Sequence, residues 1–415
     1  MKILFLTENY PPETNAAATR VHERAIYWVR NGHQVTVLTS APNFPLGKVF
    51  PGYQNRWYDV RQHDGVRVIR VKTFMAANDG FLLRTLDFLS FMASAFVAGL
   101  FQSRPDVVMA TSPQFFTAVG AWALTAVRRL PFVFELGDLW PRSIVAVGAM
   151  AESPTIRLLE RLELFLYRRA RAVVALTNAF KEDLVRRGIP AEKIAVVING
   201  VDLPRYQPQP RDAALATEWQ LTGKFVIGYV GTHGMAHGLT NVLDAAERLQ
   251  GDDRIRFLLA GAGAERQLLI DSAAARGLSN VVFMPMQPKE AMPRVWSLCD
   301  VALVHLKDSP AFAEVIPSKI FEAMGMGLPI LLVAPPGEAS RIVSGAAAGR
   351  WVPAGDPDAL AAAAVALMTD DAGRARLAAT SHAAAARFTR QRQAEHVIEV
   401  LDRVLAGSQS MVVEA

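Results

Sequence analysis

The sequence predicts an α/β protein built from two doubly wound domains, and three observations support this fold class. Short apolar runs alternate with longer, helix-length segments along the chain. The same alternation occurs once in each half. The length of 415 residues exceeds the ~100–200 residues of a typical single domain. Because strand–helix–strand repeats form parallel sheets with helices on both faces, each half should be a Rossmann-like domain.

The first half contains short apolar runs that we expect to form strands. They are Ile3–Leu6, Val35–Leu38, Val66–Val71, Val107–Ala110, Phe132–Glu135, Ala172–Ala175 and Ile194–Ile198. The segments between them have the length of helices. These are Ala17–Asn31, Phe81–Gln102, Phe115–Arg128 and Pro154–Ala170. The order of these segments predicts successive βαβ units.

The second half repeats the pattern, with Ala- and Leu-rich helices between its strands. The expected strands are Phe225–Tyr229, Arg256–Ala260, Val281–Met284, Val301–Val304 and Ile330–Val333. Asn199-Gly200 is a turn signal, and the prolines that follow it disfavour a helix. We therefore predict a first domain at 1–198 and a second at 199–390. Residues 391–415 should form a helix and tail that pack back on the first domain.

Composition narrows the class of protein. The chain has 44 Lys and Arg against 39 Asp and Glu, a formal charge of +5 that is mild for nucleic-acid binding. The only cysteine, Cys299, excludes a disulfide framework and fits a reducing compartment such as the cytoplasm. The uncharged run Phe88–Phe101 is shorter than the ~20 residues of a membrane span, so we expect a buried or interfacial helix there.

The strongest local signal lies between Phe312 and Leu332. Glu314 and Glu322 are eight residues apart, and Ser318-Lys319 opens a helix between them. Free backbone N–H groups at a helix start bind anions, and a lysine in the first turn is unfavourable unless an anion is also present. An ordinary connection with surface charges would explain the same residues.

The segment resembles the corresponding region of retaining nucleotide-sugar glycosyltransferases of family 4, which have the two-domain GT-B fold. The resemblance extends over nearly the whole chain and is closest to the bacterial surface-polysaccharide branch, which contains L-fucosamine transferases of O-antigen and colanic-acid synthesis. It is carried by ENYPPE at 8–13, RNGHQVTVLT at 30–39, DLWP at 138–141, INGVD at 198–202, LAGAGAE at 259–265, NVVF at 280–283 and IPSKIFE at 316–322.

The resemblance implies roles for residues of the second domain. Glu322 should bind the nucleotide ribose, Glu314 the donor sugar, and Lys319, at the helix start with Ser318, the diphosphate. Gly261 and Gly263 should let the backbone approach the nucleotide, although turn glycines would look the same. The base should be read near Met284 and Met286.

Three segments depart from the family pattern. Thr232 and His237 stand where Arg and Lys are usual, so the diphosphate should depend more on Lys319, with His237 either assisting or serving as a plain loop residue. Asn15 and Ala16 lie where relatives have a glycine pair, and Asn15 is more simply a helix cap. Gly137 replaces the usual histidine, so no catalytic histidine is assigned there.

Asp138 is the candidate for orienting or deprotonating the acceptor hydroxyl, and it could equally cap a helix near Trp140-Pro141. No covalent nucleophile stands out, and Cys299 is expected to be an inert core thiol. Asp356-Pro357-Asp358 is expected to cap a helix, and the histidines show no clustered metal-ligand spacing. We therefore expect a reaction without a metal or cofactor.

The resemblance implies transfer from a nucleotide-sugar, UDP-linked by analogy, to a polyprenyl-diphosphate-linked saccharide. The first domain should bind the acceptor and the second the donor, across a cleft at the carboxyl ends of the strands. The basic amphipathic segment Pro154–Arg171 and the run Phe88–Phe101 would suit peripheral contact with the inner face of the cell membrane. A nucleotide-sugar epimerase and a non-catalytic nucleotide-sugar-binding subunit are the alternatives.

Overall fold

Two mainly parallel sheets, one in each compact unit of the chain, form the framework of the computed structural model. The structure describes residues 1–13, 15–44, 47–75, 81–112, 115–141 and 153–413. The first unit comprises Met1–Ile198 and Gln391–Ala415, and the second comprises Asn199–Arg390. The predicted α/β class with two Rossmann-like units is confirmed.

In the first unit the sheet order is β3-β4-β2-β1-β5-β6-β7-β8, and only the β3–β4 pair is antiparallel. The strands are β1 (Lys2–Leu6), β2 (Gln34–Ser40), β3 (Tyr58–His63), β4 (Val66–Val71), β5 (Val107–Thr111), β6 (Phe132–Leu136), β7 (Ala172–Ala175) and β8 (Ile194–Val196). The helices are α1 (Ala16–Arg30), α2 (Phe81–Leu100), α3 (Phe115–Arg128), α4 (Pro154–Arg169) and α5 (Asn178–Arg186).

In the second unit the sheet order is β11-β10-β9-β12-β13-β14, with every pair parallel. The strands are β9 (Phe225–Val230), β10 (Ile255–Gly261), β11 (Val281–Pro285), β12 (Val301–His305), β13 (Ile330–Val333) and β14 (Gly349–Val352). The helices are α6 (Ala213–Glu218), α7 (Thr240–Arg248), α8 (Arg266–Ala275), α9 (Met292–Trp296), α10 (Lys319–Gly325), α11 (Glu338–Gly345), α12 (Pro357–Thr369) and α13 (Asp371–Ala385). The last helix, α14 (Arg390–Val413), begins at the final residue of this unit.

Alternate residues of β1 supply the cores on the two faces of the first sheet. Ile3 and Phe5 pack in the cluster that contains Trp28, whereas Leu4 and Leu6 pack in the cluster that contains Phe91. From Gln391 onward α14 belongs to the first unit, where the Trp28 indole donates a hydrogen bond of 3.0 Å to the Ala394 carbonyl.

Helix α2 packs on the core of the first unit with one side and exposes apolar side chains on the other. Its 18-residue stretch Leu83–Leu100 is long and apolar enough to cross a membrane by length and composition, and 28% of that stretch is buried. Phe91 and Ala95 lie in the core, and a Cβ built at Gly99 would be 2.5 Å from a methyl of Leu124 on α3. The helix therefore packs tightly on one side only.

Candidate active site

Two loops cross closely where β9 and β10 end in the second unit. A Cβ built on Gly261 would lie 1.9 Å from the Gly231 carbonyl oxygen, and one on Gly263 would lie 2.2 Å from that of His233. Both glycines also have φ values, +148° and +155°, that other residues rarely adopt. These glycines are thus required for contact between two protein loops, and the close approach to a nucleotide that the resemblance implies for them stays a prediction.

Lys319 lies against the same loops from the start of α10. Only 8% of the residue is exposed, and within the described part of the chain its Nζ has no hydrogen-bond partner. The ammonium group lies 3.6 Å from the centroid of the Tyr229 ring, a cation–π contact. Burial lowers the pKa of Lys319 to about 7, and the carboxylate of Glu322 opposes this shift. A buried, unpaired cation beside two glycine loops is a site suited to an anion.

Glu314 and Glu322, the two glutamates of the predicted motif, precede and follow Lys319 along the chain. Glu314 ends a short 3₁₀ helix, Pro310–Glu314, and is half-buried. Glu322 is also half-buried and accepts a hydrogen bond of 3.2 Å from the Trp296 indole. Ser318 immediately precedes α10 and makes no side-chain capping bond. The indole fixes the orientation of the Glu322 carboxylate, a contact between residues 26 positions apart that no local spacing indicates.

Three histidines surround Lys319, and His237 is the only one that the sequence analysis selected. His237 and His305 each direct Nδ1 at the other's backbone carbonyl, at 3.3 and 2.6 Å. Burial lowers the pKa of His237 to about 3 and that of His305 to about 4. His237 is therefore neutral at physiological pH and helps to hold its loop against β12, and it adds no positive charge to the site.

Arg266 and His233 also lie at the loops that follow β9 and β10. The Arg266 side chain donates a hydrogen bond of 3.1 Å to the Gly261 carbonyl at the end of β10. The His233 side chain is fully buried, and burial lowers its pKa to about 4, with smaller contributions from Arg266 and Lys319. Lys319 and Arg266 thus bring positive charge to the loops where Thr232 and His237 replace the usual basic residues.

The two methionines predicted near the base lie at the end of β11. Met284 is fully buried, whereas Met286 is 57% exposed beyond the strand. Since β11 neighbours β10 in the sheet, both residues follow the same strand edge as Gly261. Only Met286 offers a side chain that a ligand at that edge could contact.

In the first unit, the candidate catalytic residue Asp138 lies two residues beyond β6. It is half-buried, and its N–H donates to the Ser112 hydroxyl at 3.3 Å. A Cβ built on Gly137 would lie 2.7 Å from the Ser112 carbonyl and 2.9 Å from a guanidinium nitrogen of Arg20. A histidine side chain therefore does not fit here. The helix that Asp138 was expected to cap falls largely outside the described residues.

Two other residues of the first unit have structural roles. The Asn15 side chain accepts a hydrogen bond of 2.9 Å from the Ala18 N–H and caps α1, while Ala16 is exposed at the first position of the helix. Glu135 is fully buried and pairs with Arg20 at 2.7 Å and with Arg24. Burial alone would raise the pKa of Glu135, but the two arginines hold it below its usual range.

The fold brings one group of potential metal ligands together among the described residues. His22, His63 and Asp64 place their ligand atoms within 4.8 Å of one another. The His22 ring also lies 2.9 Å from the Tyr10 hydroxyl and 3.2 Å from Asp64, so these contacts hold the β3–β4 hairpin against α1. Sequence spacing gave no sign of the group, because its members come from separate elements.

Cys299 and Asp356 match their expected structural roles. Cys299 is buried, and burial raises the pKa of its thiol well above the usual range. The Asp356 side chain accepts a hydrogen bond of 2.8 Å from the Ala359 N–H and caps α12.

Each half of the chain matches a glycosyltransferase family. Residues 15–200 match the family model described as glycosyl transferase 4-like domain, and residues 216–384 match that described as glycosyl transferases group 1. Both halves are therefore glycosyltransferase domains, and the chain has the fold of the two-domain GT-B glycosyltransferases.

The individual relatives are bacterial proteins, of which one is named for colanic acid biosynthesis and another for mannosyl transfer. The Escherichia coli (strain K12) protein WcaI, named as a colanic acid biosynthesis glycosyl transferase, is 28% identical over 79% of this chain and 82% of its own length. A Mycobacterium tuberculosis (strain CDC 1551 / Oshkosh) protein named GDP-mannose-dependent alpha-mannosyltransferase is 27% identical over 87% of each chain. The crystal structure of Anabaena HepE with UDP-glucose superposes with a TM-score of 0.74 at 19% identity, over 97% of this chain and 100% of that one.

Proposed function

We propose that this protein is a retaining glycosyltransferase of bacterial surface-polysaccharide synthesis. It transfers a sugar from a nucleotide donor bound by the second unit to a lipid-linked saccharide bound by the first. The observation that carries the proposal is Lys319, a buried ammonium group beside the loops that follow β9 and β10, with no hydrogen-bond partner in the described part of the chain. A donor diphosphate would supply the anion that this site lacks.

The donor we favour is a UDP-linked sugar, with an N-acetylated aminosugar such as L-fucosamine as the first candidate. The solved relative HepE binds UDP-glucose, which supports uridine, whereas the mycobacterial relative is named for GDP-mannose. Both nucleotides therefore belong in the test. Glu322, oriented by Trp296, would accept hydrogen bonds from the ribose diol, and Glu314 would contact the sugar.

The rate would come from charge stabilisation as the diphosphate departs. Lys319 has a pKa of about 7, so a bound diphosphate would favour its protonated form and be stabilised in return. In a retaining front-face transfer, the departing phosphate oxygen would take the proton of the attacking acceptor hydroxyl. Asp138 would orient that hydroxyl.

The acceptor we propose is a polyprenyl-diphosphate-linked saccharide, reached at the inner face of the cell membrane. The name of the E. coli relative, in colanic acid biosynthesis, supports a polysaccharide product. Leu83, Leu86, Val97 and Phe101 are exposed along α2 and at its end, and Phe101 is 82% exposed. Arg84 and Arg104 are exposed beside them. An apolar surface with basic residues at its rim suits an anionic lipid surface.

Incubating the full chain with UDP- and GDP-linked sugars and a bacterial lipid extract tests the proposal, with products followed by mass. A lipid-linked saccharide that is heavier by one sugar residue is the expected product. Formation of an epimeric nucleotide-sugar without acceptor would identify an epimerase instead. Tight nucleotide-sugar binding without turnover would identify a binding subunit.

A further inference from the structure

A buried carboxyl group with an oxygen unpaired in the described part of the chain lies just beyond the end of β1 in the first unit. Glu8 lies two residues beyond β1, and 4% of it is exposed. Its Oε2 atom is buried and has no hydrogen-bond partner among the residues that the structure describes. Buried polar atoms in native proteins are nearly always paired, and leaving one unpaired is destabilising.

The backbone fixes Glu8 in this position. Its carbonyl oxygen accepts hydrogen bonds from the Thr39 hydroxyl at 2.8 Å, the Ser40 hydroxyl at 3.0 Å and the Ser40 N–H at 3.3 Å. These three bonds tie the residue to the end of β2. The position of Glu8 is therefore set by its backbone bonds to the end of β2, at the carboxyl end of the strands.

Glu13, five residues later, shows what a structural carboxylate looks like in the same loop. It is 3% exposed and accepts three backbone N–H bonds, from Tyr10 at 3.1 Å, Asn43 at 2.9 Å and Phe44 at 2.8 Å. Glu13 thus holds the loop together with both oxygens. Glu8 has no comparable set of partners.

Burial and the charged groups around Glu8 act on the pKa of its carboxyl group. Burial raises the pKa of Glu8 well above its usual range, and Asp87 on α2 and then Glu13 raise it further, while Arg84 lowers it. This shift favours the protonated carboxylic acid, which can both donate and accept a hydrogen bond.

Thr73 supplies a second unsatisfied atom at the same edge of the sheet. Its hydroxyl is buried without a partner among the described residues, and Thr73 lies two positions beyond β4. Strand β2 separates β4 from β1 in the sheet, and Ser40, which bonds to Glu8, is paired with Val71. Thr73 and Glu8 thus follow the carboxyl ends of strands that share one neighbour.

We propose that Glu8 and Thr73 form a subsite that binds hydroxyl groups of the acceptor saccharide in the first unit. A sugar hydroxyl both donates and accepts hydrogen bonds, and it would satisfy the atoms that the protein leaves unpaired. The inference rests on the proposed transferase function and adds to it the residues that select the acceptor.

The test compares Glu8→Leu and Glu8→Gln with the matched control Glu13→Gln in the full chain. Glu8→Leu should raise the acceptor KM about tenfold or more and leave UDP affinity unchanged. Glu8→Gln keeps hydrogen-bonding atoms and should have a smaller effect. Because Glu8 is unsatisfied and Glu13 is not, Glu8→Leu should keep or raise Tm, whereas Glu13→Gln should lower it.

The outcomes separate this inference from the function on which it rests. An unchanged acceptor KM in Glu8→Leu, with normal transfer by the unmodified protein, overturns the subsite alone. A Tm loss in Glu8→Leu as large as that in Glu13→Gln also overturns it, because Glu8 would then be structural. Absence of transfer by the unmodified protein overturns the proposed function and this inference with it.

Discussion

Lys319 combines the features of a ligand-binding cation with a cost to the fold. Its ammonium group is stacked on Tyr229 in a buried position, and its pKa falls from 10.5 to about 7. Below pH 7 the lysine is protonated in both the folded and the unfolded state, so the full penalty of burying the charge is present. Between pH 7 and 10.5 the folded protein loses this proton first, and the penalty disappears as the pH rises.

We therefore predict that Lys319→Met stabilises the fold but weakens nucleotide binding. At pH 7 the free energy of unfolding should rise, by as much as a few kcal/mol. The difference in Tm between the variant and the unmodified protein should shrink as the pH approaches 10. Thermal unfolding measured from pH 6 to pH 10 checks this, and a Tm loss at every pH would contradict it.

Glu322 should matter for the nucleotide without mattering for the fold. Glu322→Gln keeps an oxygen to accept from the Trp296 indole but removes the charge that would hold the ribose diol. We predict a loss of nucleotide affinity of about tenfold, the equivalent of one charge-assisted hydrogen bond, with a Tm close to that of the unmodified protein. Glu290→Gln, an exposed glutamate of the same unit, is the control. Equal nucleotide affinity in the two variants would exclude the ribose role.

At the scale of elements, the donor site depends on how closely the loops after β9 and β10 approach each other. Gly263→Ala would place a Cβ 2.2 Å from the His233 carbonyl at a φ of +155°. We predict destabilisation by more than the ~1–3 kcal/mol of a strained backbone alone, and weaker nucleotide binding because the loops must separate. Chemical denaturation and nucleotide titration measure both effects.

Gly223→Ala isolates the backbone contribution. Gly223 also has a positive φ, +70°, but a Cβ there would meet nothing within 4 Å. The Gly223→Ala variant should lose only the stability that an alanine costs at a positive φ, and it should keep its nucleotide affinity. If the two alanine variants behave alike, close approach of the loops is not what the glycine provides.

Helix α2 should contribute to membrane contact. Phe101, 82% exposed, follows the helix whose other side fills the core. We predict that Phe101→Ser weakens sedimentation with vesicles containing phosphatidylglycerol, because apolar burial in the interface is lost, and leaves Tm unchanged. Val185→Ser, at a position that is 41% exposed on α5, is the control. Loss of vesicle binding in both variants, or in neither, would contradict a specific role for α2.

At the scale of the whole molecule, the sequence predicted the strands that are buried on both faces. Val66–Val71 and Ile330–Val333 have the predicted bounds, because uninterrupted apolar runs are typical of such strands. Strand β3, Tyr58–His63, was missed, because it is an exposed edge strand with a mostly polar sequence. Strand β14, Gly349–Val352, was missed for a similar reason, since only Val352 of its four residues is buried.

The site could be predicted only where its residues lie in one segment. Glu314, Lys319 and Glu322 form a recognisable spacing, and Asn15 has the character of a helix cap. Tyr229 and Arg266 reach the same loops from separate strands and helices, and spacing along the chain does not indicate such contacts. Glu8 has a buried side-chain oxygen without a partner among the described residues, and no local sequence pattern indicates this.

The most direct test of the donor site is calorimetric titration of the full chain with UDP and GDP at pH 7.5, in two buffers of different ionisation enthalpy. If the diphosphate lies on Lys319, binding should raise the pKa of this residue from about 7. The unmodified protein should then take up roughly half a proton more than Lys319→Met, and the variant should bind at least tenfold more weakly. Equal affinity and equal proton uptake in the two proteins would contradict the account.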